Sequence, residues 1–128
     1  MLHLENNSSI CKKGNEEITK LLSLLYESKK AYRKYLANGG IFVFTKQIRK
    51  INQEILDLLQ SLNLNYYPTL ISGLVSLIEH LEGWLYLWDE NKNTQNPDDK
   101  DVFSFTGYQT YPKNLEQLLI LYLNERID

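Results

Sequence analysis

The sequence predicts an all-α fold: a single antiparallel four-helix bundle with an irregular or short extended segment between the third and fourth helices. Three observations predict it. Apolar residues recur at spacings of three and four in four separate segments. Asn38-Gly39-Gly40, Pro68 and a polar run followed by Pro112 break those segments apart. Finally, 128 residues suffice for one hydrophobic core and are too few for two ordinary domains. With 43% hydrophobic and 23% charged residues the composition is that of a globular chain, so 1–128 is read as one domain.

Residues 1–14 precede the first clear period and are read as a mobile N-terminal arm. The first helix is expected from Asn15 to about Leu36, with Ile18, Leu21, Leu22, Leu25, Tyr32 and Leu36 at helical spacing. Asn15 suits its N-cap, and Glu16 and Glu17 its first turn. Asn38-Gly39-Gly40 ends it, because glycine enters the left-handed conformation without a Cβ penalty. Ile41, Phe44, Ile48, Ile51, Ile55, Leu58, Leu59 and Leu62 then form the stripe of a second helix, which ends near "NLNYYP". The connection is short, so the first two helices should form an antiparallel hairpin.

Pro68 suits the first turn of a third helix, where its missing N–H costs nothing. Leu70, Leu74, Leu77, Ile78, Leu81, Trp84, Leu85 and Trp88 make its stripe wide, so this helix should be the most buried. Gly83 lowers helix propensity there and would admit a close neighbour. "DENKNTQNPDDKD" has the composition of a surface loop, and "VFSFTGYQTY" alternates as an extended segment or small hairpin does; residues 91–111 are therefore read as a loop or extended insertion. The last helix fits 112–126 through Leu115, Leu118, Leu119 and Tyr122, with Pro112 near its start or Asn114 and Gln117 as a variant capping box.

Chemistry is sparse. Cys11 is the one cysteine, which excludes an internal disulfide and any multi-cysteine metal site. Glu79, His80 and Glu82 crowd together, but a carboxylate-bridged di-iron bundle needs Glu-x-x-His, and Leu77 and Ser76 stand three and four residues before His80. His3 and His80 adjoin no nucleophile signature, and no phosphate-cradling glycine loop opens a helix. The expectation is therefore no enzyme, no metal, no cofactor and no small-molecule substrate. Trp84 and Trp88 are read as core, or as the border of a pocket if the bundle opens beside them. The N-terminus lacks the basic and apolar regions of a secretory signal, and no run of about 18 apolar residues appears, so a cytoplasmic chain without a membrane span is expected.

One stretch stands out. Residues 29–50, "KKAYRKYLANGGIFVFTKQIRK", carry seven bases and no acid. Residues 1–50 hold 10 bases and 4 acids, whereas residues 51–128 hold 4 and 12. Lys30, Arg33 and Lys34 fall in the last turns of the first helix, where the dipole favours cations. Lys46, Arg49 and Lys50 lie in the first half of the second helix, where it does not. Phe42 and Val43 project away from the stripe through Ile41, Phe44 and Ile48; they either anchor a contact surface or pack beneath the N-terminal arm or the 102–111 segment.

The reading that follows is a non-catalytic protein–protein interaction module, an adaptor, chaperone or inhibitor-like bundle. Its site is Lys30, Arg33, Lys34, Phe42, Val43, Lys46, Arg49 and Lys50, and its partner an acidic protein or a second copy of the chain. The alternative is a small helical subunit that contacts nucleic-acid phosphates through the same cations, with Tyr32, Tyr35 or Phe42 stacking on bases. "FTKQIRK" resembles small helical subunits of type III CRISPR complexes over those seven residues, a resemblance that assigns no residue roles. Membrane-surface binding ranks third, because the basic and apolar residues share no long amphipathic face.

Overall fold

The computed structural model describes the backbone of residues 2–125 and the side chains of residues 14–125. It contains α1 (Leu2–Ala37), α2 (Phe42–Ser61), α3 (Ile71–Gln95) and α4 (Leu115–Glu125), with a 3-10 turn at Leu64–Tyr66. This is the all-α bundle that the periodicity predicts. No strand forms among the described residues; Ile41 and Val102 make a single antiparallel bridge.

The first helix starts earlier than its apolar period. Leu2 to Asn15, read above as an arm and an N-cap, belong to the 36-residue helix α1. Nothing in that stretch forces a break: it holds no proline, and extending a helix costs far less than nucleating one. The side chains of His3 and Cys11 lie outside the described residues. Gly14 sits mid-helix for a packing reason, since a Cβ there would come within 2.8 Å of the Tyr122 hydroxyl of α4. At the other end the expected stop holds: Gly39 and Gly40 take φ values of 77° and 70°, and the Gly40 N–H donates to the Tyr35 carbonyl at 2.9 Å.

Helices α1 and α2 run in opposite directions, since Ser28 bonds Asn52 at 2.9 Å while Lys34, further along α1, lies over Phe44, earlier in α2. The interior of the α2 stripe is as expected, with Ile48, Ile51, Ile55 and Leu59 buried. Its first turn is not. Phe42 is only 3% exposed and Thr45 is buried, while Ile41 and Phe44 are half-buried. The cause is tertiary: residues 99–105 cross the start of α2 and bury a flank beside the face the period selects. The Phe42 and Val43 N–H groups donate to the Asp101 and Asp99 carbonyls at 2.8 and 3.0 Å, and the Phe103 N–H donates to the Gly40 carbonyl at 2.9 Å. Ile41 offers no side-chain cap, so backbone carbonyls from the crossing segment satisfy two of the helix's orphan donors.

Helix α3 begins at Ile71, leaving Pro68 in the turn before it. It also runs on through residues 91–95, expected as loop. Polar composition does not forbid helix where side chains bond back to the turn behind, as Asn91 does to the Leu87 carbonyl at 2.8 Å and Thr94 to the Glu90 carbonyl at 3.0 Å. The stop is Asn96, left-handed at φ 45°, followed by Pro97. The insertion therefore spans 96–111; it is irregular, with a turn at 98–101, and forms no hairpin. Gly83 accepts it closely: a Cβ there would lie 3.3 Å from the Tyr108 Cβ. Helix α4 starts at Leu115, three residues beyond Pro112, and the Asn114 carbonyl accepts the Leu118 N–H. Leu21, Ile55, Leu74, Leu81, Phe103 and Leu119 meet in one core drawn from all four helices and the insertion.

Candidate functional site

The basic hairpin divides into two parts with different surroundings. On α2, Phe42 is no surface anchor: it stacks on Trp88 at 5.6 Å and meets Phe103 edge-on at 5.0 Å. It thus packs under the insertion, one of the two placements open above. Lys46 lies over the Phe42 ring and bonds Asp99 at 2.9 Å. Arg49 grips Asp89 with two hydrogen bonds, of 3.0 and 3.3 Å, and its guanidinium covers Trp88. Beneath them Thr45 donates to the Phe42 carbonyl at 2.7 Å and accepts the Trp88 indole N–H at 2.9 Å, so the buried polar atoms are paired. Lys46 and Arg49 thus clasp α3 and the insertion to α2. Exposed ion pairs of this kind contribute about 0.2–1 kcal/mol each, so aromatic packing, not charge, holds the clasp shut.

On α1 the cations are less committed. Lys29 pairs with Glu116 of α4. Lys30 reaches Glu27 of its own helix at 3.5 Å and lies over Tyr26. Lys34 covers the Phe44 ring. Among the described residues, Arg33, Lys34 and Lys50 have no carboxylate within ion-pair distance. Val43, 36% exposed, lies on the outward side of α2 with Lys50. Tyr26, Lys30, Arg33 and Leu36 follow at spacings of four, three and three, hence on one face of α1. Tyr26 and Leu36 are 58% and 57% exposed there, so Leu36, like the exposed Tyr32, leaves the stripe read from the sequence, and Ala31 is buried in the last turns instead. The charge segregation of the sequence is partly resolved inside the molecule, because Asp89, Asp99 and Glu116 of the acidic half partner Arg49, Lys46 and Lys29 of the basic half.

Beside this face the bundle opens. A cavity of about 600 Å³ lies between α1, α2, α3 and residues 108–111, with Ile48, Ile55, Leu81 and Trp84 as its apolar wall. Trp84 therefore borders a pocket, while Trp88 belongs to the clasp. Asn52 lines the cavity and is only 4% exposed; its Oδ1 accepts from Ser28, and no hydrogen bond engages its Nδ2. Tyr111 lines it too, with a hydroxyl that is buried and unpartnered. Burial, with Glu116 nearby, pushes the Tyr111 phenol far above its ordinary range, so it stays a neutral donor.

His80 completes the inner surface. Its Nδ1 lies 2.7 Å from the Gln109 carbonyl, which only accepts, so Nδ1 carries the proton and Nε2 is the free acceptor. Tyr108 and Tyr111 meet the imidazole edge-on at 5.6 and 5.3 Å. Desolvation lowers the His80 pKa below its usual value, against the opposing pull of the Gln109 bond, and keeps the ring neutral at pH 7. No group of three or more potential metal-ligating side chains assembles among the described residues.

Sequence reasoning missed Asn52, His80 and Tyr111 as neighbours of one site. Asn52 did carry a signal: it is a polar residue set between Ile48, Ile51 and Ile55 on a buried face. His80 and Tyr111 carried none, since only the path of the insertion brings them together. Compared with protein-family models, curated proteins and solved structures, the chain matches none.

Proposed function

We propose that this chain is a non-catalytic protein–protein interaction module that docks an acidic partner on the outer face of its first helical hairpin. The observation that supports this reading is the α1 face on which exposed Tyr26 and Leu36 bracket Lys30 and Arg33. Tyrosine and arginine are the residue types that most often dominate interface energetics, and cations without internal carboxylate partners steer an acidic surface into register. Lys34, Val43 and Lys50 extend the surface. Phe42, Lys46 and Arg49 serve it indirectly, by holding the hairpin against α3 and the insertion.

The same cations, with the exposed rings of Tyr26 and Tyr32, also suit single-stranded nucleic acid, the second reading. Affinity purification from native cells of wild type and of the triple variant Tyr26→Ala/Lys30→Glu/Arg33→Glu separates the two. A stoichiometric protein complex that resists nuclease and disappears in the variant supports the first reading. Nuclease-sensitive nucleic acid in its place moves the assignment to the second, and identical partners for both proteins remove this face from the function.

A further inference from the structure

The cavity beside α1 is a site of a different kind from the docking face. We infer that it binds a small planar aromatic carboxylate, with the ring against Trp84 and Tyr108 and the carboxylate at Arg33. Its volume of about 600 Å³ falls within the roughly 300–1,000 Å³ of small-molecule sites. The walls are apolar and aromatic, as such sites require, and the polar groups that interrupt them are few and convergent.

Asn52 and His80 have hydrogen-bonding capacity left to give. Asn52 is more than nine-tenths buried, yet one hydrogen bond satisfies only one end of its amide. Its Nδ2 is not sealed off, so an occupant of the cavity with an acceptor at its edge can bond it. Tyr111 gives ring surface to the lining, while its hydroxyl has almost no accessible surface and is closed to an occupant. His80 also lines the cavity, and the Gln109 bond leaves its Nε2 as an acceptor for a ring N–H or hydroxyl on the ligand. Every one of these groups is neutral, so the interior suits an uncharged ring. Charge enters only at the exposed rim, where Arg33 stands without a carboxylate partner among the described residues and lines the cavity. Lys29, the other cation of the rim, is already held by Glu116. One fork of guanidinium donors at the edge of an aromatic slot selects a planar anion, because a guanidinium binds a carboxylate through two parallel hydrogen bonds.

Titration with 2-naphthoate, followed by two-dimensional amide and indole NMR, tests the assignment, with 2-naphthamide as the uncharged comparison. The chain has two tryptophans, which makes the indole signals an internal control. The Trp84 indole and the Asn52 side-chain amide are expected to shift along one saturable curve, while the Trp88 indole, bonded to Thr45 outside the cavity, stays in place. Arg33→Gln should weaken naphthoate roughly tenfold, the worth of a charge-assisted pair at a partly exposed rim, and leave naphthamide unchanged. Thr110→Trp, a substitution at an exposed rim position, should abolish binding of both. Three results would overturn the inference: no saturable shift at millimolar naphthoate, equal movement of both indoles, or undiminished binding by Thr110→Trp.

Discussion

The two helices of the first hairpin each carry a cluster of bases, and the environments of the two clusters diverge. On α2, Lys46 and Arg49 are bound to Asp99 and Asp89 and lie over the rings of Phe42 and Trp88. On α1, Lys30 has only a partner on its own helix, and Arg33 has no carboxylate partner among the described residues. The helix dipole gives the α1 cations a local reason to exist and gives the α2 cations none. The α2 cluster is nonetheless the one with a structural explanation, because its counter-charges arrive from 40 to 53 residues away. An unexplained local charge is thus weaker evidence of a binding surface than an exposed charge that no distant residue neutralises.

Breaking the α2 cluster at its centre gives the largest expected effect. Phe42→Ala should cost about 3–5 kcal/mol in urea unfolding, the usual range for emptying a core phenylalanine site, whereas Tyr26→Ala on α1 should stay within about 0.5 kcal/mol. Equal costs would erase the distinction between clasp and docking face.

A smaller loss isolates the polar layer beneath the clasp. Thr45→Val keeps the side-chain shape but removes the acceptor of the buried Trp88 N–H, at a cost of about 1–3 kcal/mol. Adding Trp88→Phe should reduce the incremental penalty, so that the two changes couple in a double-mutant cycle. Strict additivity would show that the bond contributes nothing to stability.

The smallest effect sharpens the comparison most. A cycle of Arg49→Ala and Asp89→Ala should give a coupling of about 0.2–1 kcal/mol that shrinks with added salt, while Arg33→Ala alone should leave stability unchanged within about 0.5 kcal/mol. A destabilising Arg33→Ala would place that residue in the fold and remove it from any interface.

Much of the architecture was legible before the structure. The stop at Gly39 and Gly40, the interior of the α2 stripe and the α3 stripe from Leu74 to Trp88 all follow from helical spacing and glycine geometry. The period leaves Phe42 open between surface and interior because its neighbours Ile41 and Phe44 fit the stripe better, and the polar composition of residues 91–95 reads as loop; contacts outside the local pattern decide the first, and side-chain bonds along the helix decide the second. The cavity was still harder to read. Asn52 stood out as a polar residue in an apolar stripe, but His80, Tyr108 and Tyr111 become its neighbours only through the course of the insertion over Gly83.

By itself the sequence determined the number of helices, the main turn and the buried faces of the α2 interior and of α3, since these depend on spacing within one or two turns. Tertiary structure decided which bases are neutralised, where the insertion lies and that a cavity opens beside Trp84. Those outcomes depend on partners dozens of residues apart, whose meeting is set by the packing of the whole bundle and leaves no local period to read.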